Sequence, residues 1–429
     1  MEIHRQVSPR FETSALVTKL EQQGRFPAVL FHKVKDYDRP ILSNIHSSFN
    51  RMAMALDTTE AQLAEVYRKR EQTLISPRFV KKGPVKELVY LEDKVDLTKL
   101  LPALWYHEKD GGVYISLGCM TMKDPEMGHI NLGIYRLMIR NKREIGVYFA
   151  QTSQSYVIHK KHELAGKPME VSIAIGHHPT FCIGAVANTS PGVNQYEVIG
   201  GVMGEAVELS KGEAIDIDVP AQAEIVIEGV IQPGVQELEG PFGEFTGMYG
   251  PQSMRPVINV KAVTMRSDAI FQDALSGHTE NLILGYFARL NAIHRMVKHA
   301  VPTVKDIHMT LAGRCRIVCY ISIKKMIEGE PKNASFAAFG ADPFLRYAIV
   351  VDEDVDIRND SDVLHAIAMR VRPEKDTFIV SRAKGSPLDP TAEEGHLVSK
   401  VGIDATRKPG YPEEIRVPGV ENVRLENYL

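Results

Sequence analysis

The stretch "GVYISLGCMTM" (Gly112–Met122) is a short run rich in β-branched and apolar residues, bounded by glycine on one side and a charged segment on the other. It reads as a buried strand, and the chain around it repeats the pattern. "EIGVYFAQTS" (Glu144–Ser153), "VSIAIG" (Val171–Gly176), "FCIGAVA" (Phe181–Ala187), "AEIVIEGVI" (Ala223–Ile231) and "PVINVKAVTMR" (Pro256–Arg266) all read as strands, separated by Gly, Pro or Asn turns. "NQYEVIGGVMGEAVEL" (Asn194–Leu209) reads as a helix running into a glycine turn and then a strand. So many strands with so few helices predict a β-barrel or sandwich core between about residues 100 and 275, able to hold a ligand in its mouth.

Outward from this core the pattern changes on both sides. Upstream, "PAVLFHKV" (Pro27–Val34) reads as a buried strand, and "DTTEAQLAEVYRKREQ" as a helix opened by a capping box, Asp57 with Glu60 three residues on. Downstream, "NLILGYFARLNAIHRMVKHAV" (Asn281–Val301) places Leu284, Phe287, Leu290, Ile293 and Val297 on one buried helical stripe, as a linker helix would. Beyond it, "DIHMTLAG", "RIVCYISI", "YAIVVDEDVDI" and "DTFIVSR" read as strands around the helix "DSDVLHAIAMRV", which is the alternation of an α/β domain. The last thirty or so residues, rich in Pro and Gly, read as a tail that packs onto something. The predicted organisation is an N-terminal α/β segment (1–100), a strand-rich domain (101–280), a linker helix (281–301) and a C-terminal α/β domain with tail (302–429).

Composition narrows the class. The 429 residues are 44% hydrophobic and 24% charged, with a net charge of −3, so neither a nucleic-acid nor a membrane partner is expected. The opening "MEIHRQVSPRF" has no basic-then-apolar leader, and no apolar run approaches a membrane span, which together predict a soluble cytoplasmic protein. Of four cysteines only Cys315 and Cys319 are close, and "CRIVC" is neither a zinc knuckle nor a CxxC redox pair; both read as buried strand residues.

Four segments carry more polar chemistry than their context requires. "NLGIYR" (Asn131–Arg136) puts Asn131, Gly133 and Tyr135 on one strand face and Arg136 on the other. Glu208 sits between Val207 and Leu209, either as the outward half of an amphipathic strand or as a ligand for a hard cation. "AQTSQSYVIH" (Ala150–His159) interrupts strand character with Gln151, Ser153 and Gln154, which suit a loop or hydrogen bonds to a phosphate or ring. Finally "ELEGPFGEFTGMYG" (Glu237–Gly250) holds Glu239 and Glu244 on a glycine-rich bend, where environment could drive their pKa values apart into an acid and a base.

"NLGIYR", the Glu208 strand, "EGPFGEFTG" and "KVGIDAT" (Lys400–Thr406) occur in an order and spacing that resembles the UbiD family of decarboxylases, over about residues 10–406. The resemblance implies an α+β fold: a central split β-barrel flavin-binding domain, a linker helix, and a C-terminal α/β domain that mediates homo-oligomerisation as a dimer or hexamer. It implies prenylated FMN as cofactor, supplied by a flavin prenyltransferase, with Mn²⁺ (or Mg²⁺) and K⁺ compensating its phosphate. Asn131, Gln154 and Glu208 match the metal positions, Gln154 departing from the histidine of some members. Ile134, Tyr135, Arg136 and Ser153 complete the implied cofactor set. The family's catalytic trio falls on Arg136, Glu239 and Glu244, with Glu244 as proton donor.

The implied activity is lyase chemistry: reversible, non-oxidative loss of CO₂ from an α,β-unsaturated, aromatic or heteroaromatic acid of furandicarboxylate, pyrrole-2-carboxylate or hydroxybenzoate type. Arg289, His294 and Arg295 make the linker helix basic; they read either as solvent-facing charge on a half-buried helix or, for His294 and Arg295, as contacts to a second anionic group on the substrate. The alternatives are an FMN-binding redox protein and a non-catalytic carboxylase subunit.

Overall fold

The computed structural model describes every residue of the chain except Thr152, Glu414, Arg416 and Leu429. Of the predicted polar loop, Thr152 therefore lies outside the described residues, as do those three positions of the tail.

The strand-rich middle closes into a barrel. Val113–Lys123 pairs with Ile130–Ile139 on one side and Met169–Ile175 on the other. Ile130–Ile139 continues to Glu144–Val147, which pairs with Ser253–Met265. Ile225–Glu239 then joins Ser253–Met265 back to Met169–Ile175, and the ring of antiparallel strands is complete. Register shifts at Ile115/Gly118 and at Glu228/Gly229 supply the bends that closure needs. Inward residues such as Ile115, Met120, Val171, Ile173, Ile227 and Ile258 are fully buried and fill the barrel. Of barrel and sandwich, the hydrogen bonds select the barrel.

One of the six expected strands is a helix. Phe181–Ala185 of "FCIGAVA" lie in helix Pro179–Ala185, capped by His178, whose side chain accepts from Thr180 N, with Pro179 in the first turn. A short apolar run has no periodicity to separate strand from buried helix. The punctuation just before it, a capping residue followed by proline, decides the matter. Helix Gln195–Met203, its glycine turn and strand Glu208–Ser210 follow as expected.

Helix Thr279–Ala300 runs from the barrel to the last domain and buries the predicted stripe Leu284, Phe287, Leu290, Ile293 and Val297. Its first turn also grips the N-terminal segment: Glu280 accepts hydrogen bonds from Asn44 N (2.6 Å), His46 N (2.9 Å) and His46 Nδ1 (2.9 Å). The C-terminal domain is a five-stranded sheet in the order Val304–His308, Val318–Ile323, Tyr347–Asp352, Leu397–Asp404, Thr377–Lys384. Its three central strands are parallel and its two outer pairings antiparallel.

Two local readings are corrected. The capping box at Asp57 does not form: Asp57 has φ +50°, a 3-10 turn covers Glu60–Gln62, and the α-helix starts at Leu63. Cys315 is buried, but in a turn at φ +51° rather than in a strand, while Cys319 is in Val318–Ile323 as expected. No helix among the described residues is long and apolar enough to cross a membrane.

Candidate active site

The three charged residues singled out in the sequence converge. Arg136 lies on barrel strand Ile130–Ile139, and Glu239 is the last residue of Ile225–Glu239. Glu244 sits in the turn of a small hairpin, Phe242–Gly243 against Tyr249–Gly250, and its backbone N–H donates to Met248 O at 2.8 Å. Arg136 Nη2 donates to Glu239 Oε2 at 2.7 Å, and Nη1 donates to Glu244 Oε1. The hairpin can fold this closely over the guanidinium because Gly250 has no side chain: a Cβ there would lie 3.2 Å from Arg136 Nη1 and 3.3 Å from Glu244 Cγ.

The two carboxylates have different surroundings. Glu239 is completely buried, and its second oxygen accepts from the Tyr114 hydroxyl at 3.0 Å. Glu244 is buried except for an edge that faces the cavity, and burial pushes its pKa above the ordinary carboxylate value although Arg136 pulls the other way. For Arg136, burial opposes the charge, but Glu244 and Glu239 outweigh it and hold the guanidinium ionised. Tyr148 and Phe242 stack on it, 4.5 and 5.4 Å from its central carbon.

Beside this trio opens a cavity of about 510 Å³, roofed by the interdomain helix and the C-terminal domain. Asn131, Ile134, Tyr135, Arg136, Ser153, Gln154 and Glu244 all line it. Glu239 stands behind Arg136, out of the lining. Glu244 also borders a second cavity of about 440 Å³, lined by His107, His278 and Arg314 among others.

Three expected residues do not join. Glu208 does not line the cavity: it accepts from Gln222 Nε2 at 2.6 Å and from Arg78 Nη2, on the short strand Glu208–Ser210 outside the barrel. His294 packs near Arg68 and Asp306, where burial lowers its pKa to about 4. Arg295 lies past the cavity on the helix, beside Glu71. The helix turns about 100° per residue, and the residues that do face the cavity are Asn281, Leu284, Gly285, Ala288, Arg289 and Ala292.

The cavity suits a flavin mononucleotide. Its volume is within the roughly 300–1,000 Å³ of small-ligand sites. Helix Gln154–Leu164 begins at its wall with Ser153 as N-cap, and a helix N-terminus is suited to a phosphate. Asn281 Oδ1, on the roof, is buried without a hydrogen-bond partner. A divalent cation is served less completely. Asn131 and Gln154 offer amide oxygens, but Glu208 is elsewhere, and the other lining carboxylates, Glu244 and Asp342, are ion-paired to Arg136 and Arg289. The residues assembled here do not by themselves complete a site for Mn²⁺ or Mg²⁺.

Sequence reasoning missed Tyr114, Tyr148, Asn281 and Arg316. The last carried a signal: an arginine inside the apolar "CRIVC".

The fold and site are those of a closed barrel with a buried Arg–Glu–Glu cluster at the mouth of a cavity large enough for a flavin, and sequence comparison identifies the family. Profiles described as the N-terminal, Rift-related and C-terminal domains of 3-octaprenyl-4-hydroxybenzoate carboxy-lyase match residues 1–70, 78–279 and 282–405. The chain belongs to the UbiD family of carboxy-lyases. It is 31% identical over 405 residues to an anhydromevalonate phosphate decarboxylase of Methanothermobacter thermautotrophicus, covering 94% of this chain and 92% of that one. It is also 31% identical to a phenolic acid decarboxylase of Sedimentibacter hydroxybenzoicus, over 89% of this chain and 82% of the other. The UbiD-class enzyme HmfF from Pelotomaculum thermopropionicum, solved with FMN, superimposes with a TM-score of 0.94 at 36% identity, covering 100% of this chain and 96% of that one. An evolved dimeric form of HmfF was solved with prFMN.

Proposed function

We propose that the protein is a reversible, non-oxidative decarboxylase of α,β-unsaturated, aromatic or heteroaromatic carboxylic acids that uses prenylated FMN, with Glu244 as proton donor. The observation that carries this reading is the asymmetry of the trio: one guanidinium holds a fully buried Glu239 and a cavity-facing Glu244 whose pKa is raised.

The net reaction is RCO₂⁻ + H⁺ → RH + CO₂. When bound, the cofactor accepts the electron pair left as the bond to the carboxyl carbon breaks. The chain supplies the rest. Asn131, Ile134, Tyr135, Ser153 and Gln154 form the wall that positions the flavin, and Phe242 and Phe245 keep the neighbourhood of Glu244 apolar. The Glu244 O–H gives its proton to the vacated carbon, and Arg136 Nη1 holds the resulting carboxylate. Glu244 also borders the second cavity, and reprotonation from that side completes the proposed cycle. In the carboxylation direction the ionised Glu244 takes the proton instead.

Glu244→Gln tests the proposal: it should retain flavin yet lose turnover by about 10²–10⁴-fold. Full activity in that variant, or no flavin after co-expression with a flavin prenyltransferase, would overturn it in favour of the scaffold or redox reading. We further propose that the C-terminal domain joins copies into a homo-oligomer. Ile379 on the outer strand Thr377–Lys384 is 66% exposed and Phe336 49%, apolar area that a second copy would cover. Light scattering should give a mass above that of one chain, reduced by Ile379→Lys.

A further inference from the structure

Outside both cavities, the start of the chain gathers a second set of side chains with chemistry of their own. Glu2–Ile3 pairs in parallel with Val29–Phe31, Glu2 opposite Leu30 and Ile3 opposite Phe31. The ladder runs on at both ends: Leu30 N donates to Met1 O at 2.9 Å, and His32 N donates to Ile3 O at 3.0 Å. The terminal ammonium is tied down as well, donating to Ala28 O at 2.7 Å. Side chains alternate along a strand, so Ile3 packs against the barrel core while Glu2 and His4 share the outer face. There His4 meets His32, the two rings stacked 4.3 Å apart and inclined by 11°.

Both imidazoles point at one oxygen. His32 Nε2 is 3.1 Å from Glu2 Oε2, and His4 Nε2 is 3.4 Å from it. One ligand atom from each of the three residues lies within 4.8 Å of the other two. In a tetrahedral zinc site with bonds of about 2.0–2.1 Å, neighbouring ligand atoms are about 3.3–3.4 Å apart. Two of the three separations are thus close to a tetrahedral edge, and a rotation of the exposed His4 ring closes the third.

Hydrogen bonding alone accounts poorly for this convergence. Glu2 and His4 are exposed, where such pairs are worth little, and holding three side chains at one point costs rotamer entropy. A cation bound by all three offsets that cost. Two imidazole nitrogens and one carboxylate oxygen suit Zn²⁺, whereas Mg²⁺, Ca²⁺ and Mn²⁺ favour all-oxygen sets. The location gives such an ion a role. The four-stranded sheet runs from the two-residue edge strand Glu2–Ile3 through Val29–Phe31 and Ile41–Ser43 to Phe271–Asp273, and Ala274 and Ser276, just beyond, line the main cavity. An ion on the first strand staples the free edge of that sheet without touching the reacting groups.

We propose that Glu2, His4 and His32 form a zinc-binding site, with three protein ligands and a fourth position left to water, which fastens the first strand to the N-terminal sheet. The site is independent of the decarboxylase chemistry.

The test uses the full, tag-free chain, freed of metal by a chelator that is then removed. Zinc chloride titrated into it by calorimetry should bind with micromolar or tighter affinity, and a large excess of Mg²⁺ should not compete. His4→Ala and His32→Ala should each weaken that binding at least tenfold, because even losing a residue that only orients a ligand costs as much. Glu2→Gln should weaken it as well. Without metal, these variants should melt with the unaltered protein, and zinc should raise the melting temperature of the unaltered protein alone. X-ray absorption at the zinc edge should show nitrogen and oxygen neighbours at about 2.0–2.1 Å and no sulfur. Binding only at millimolar zinc, an adventitious ion, overturns the proposal. So does an affinity unchanged in both histidine variants, or sulfur neighbours, which would place the zinc at a cysteine instead.

Discussion

One guanidinium serves two carboxylates, and their difference lies in what else each touches. Tyr114 and complete burial fix Glu239 as the rear support of Arg136, while Glu244 is left with one open edge. Arg136→Met would leave both acids buried without a counter-charge and should destabilise the fold by about 3–5 kcal/mol in chemical denaturation. The loss should shrink as pH falls and Glu244, whose pKa burial raises, takes up its proton. Tyr114→Phe removes a single hydrogen bond to an ionised group and should cost about 1.5–3 kcal/mol, with flavin retained. With Glu244 as the proposed proton donor and its pKa raised, the rate should fall as pH climbs through that raised value. Carboxylation under high CO₂ should respond in the opposite sense, and Glu244→Gln should abolish both dependences. "EGPFGE" and "NLGIYR" made the trio legible because their residue types and spacing are restrictive. Tyr114 and Arg316 were not legible as site residues, since each sits in an apolar segment where only the tertiary path decides which surface it meets.

At the level of elements, strands that alternate or run apolar between glycine turns were readable, and so was the stripe of the interdomain helix. Pro179–Ala185 was misread because seven residues are too few for periodicity to speak, and His178–Pro179 was the informative pair. His294 and Arg295 were misplaced for a related reason: basic character on a helix says nothing of which turn ends the cavity. The same helix has a pH-dependent fastening. Burial alone would lower the His46 pKa, but the Glu280 carboxylate, 2.9 Å from Nδ1, is among the groups that raise it from 6.5 to about 9. A folded-state pKa above the unfolded one means that the bond's contribution is whole below about pH 6.5 and is lost as pH rises through about 9. The melting temperature should decline over that window, and Glu280→Gln should both lower it and flatten the decline.

Across the whole molecule, the barrel has no free edge in its ring, and the cavity has two walls of different origin. Arg136, Glu239 and Glu244 all fall within the stretch matched by the Rift-related profile, residues 78–279, whereas Arg289, Arg316 and Asp342 fall within the C-terminal match, 282–405. On the proposed reading, the first wall holds the residues that would supply the proton and the compensating charge. The other contributes Arg289, Arg316 and Asp342 to the lining and none of the trio. On that division, substitutions in the second wall would change what the cavity accepts while leaving in place the three residues proposed to do the chemistry.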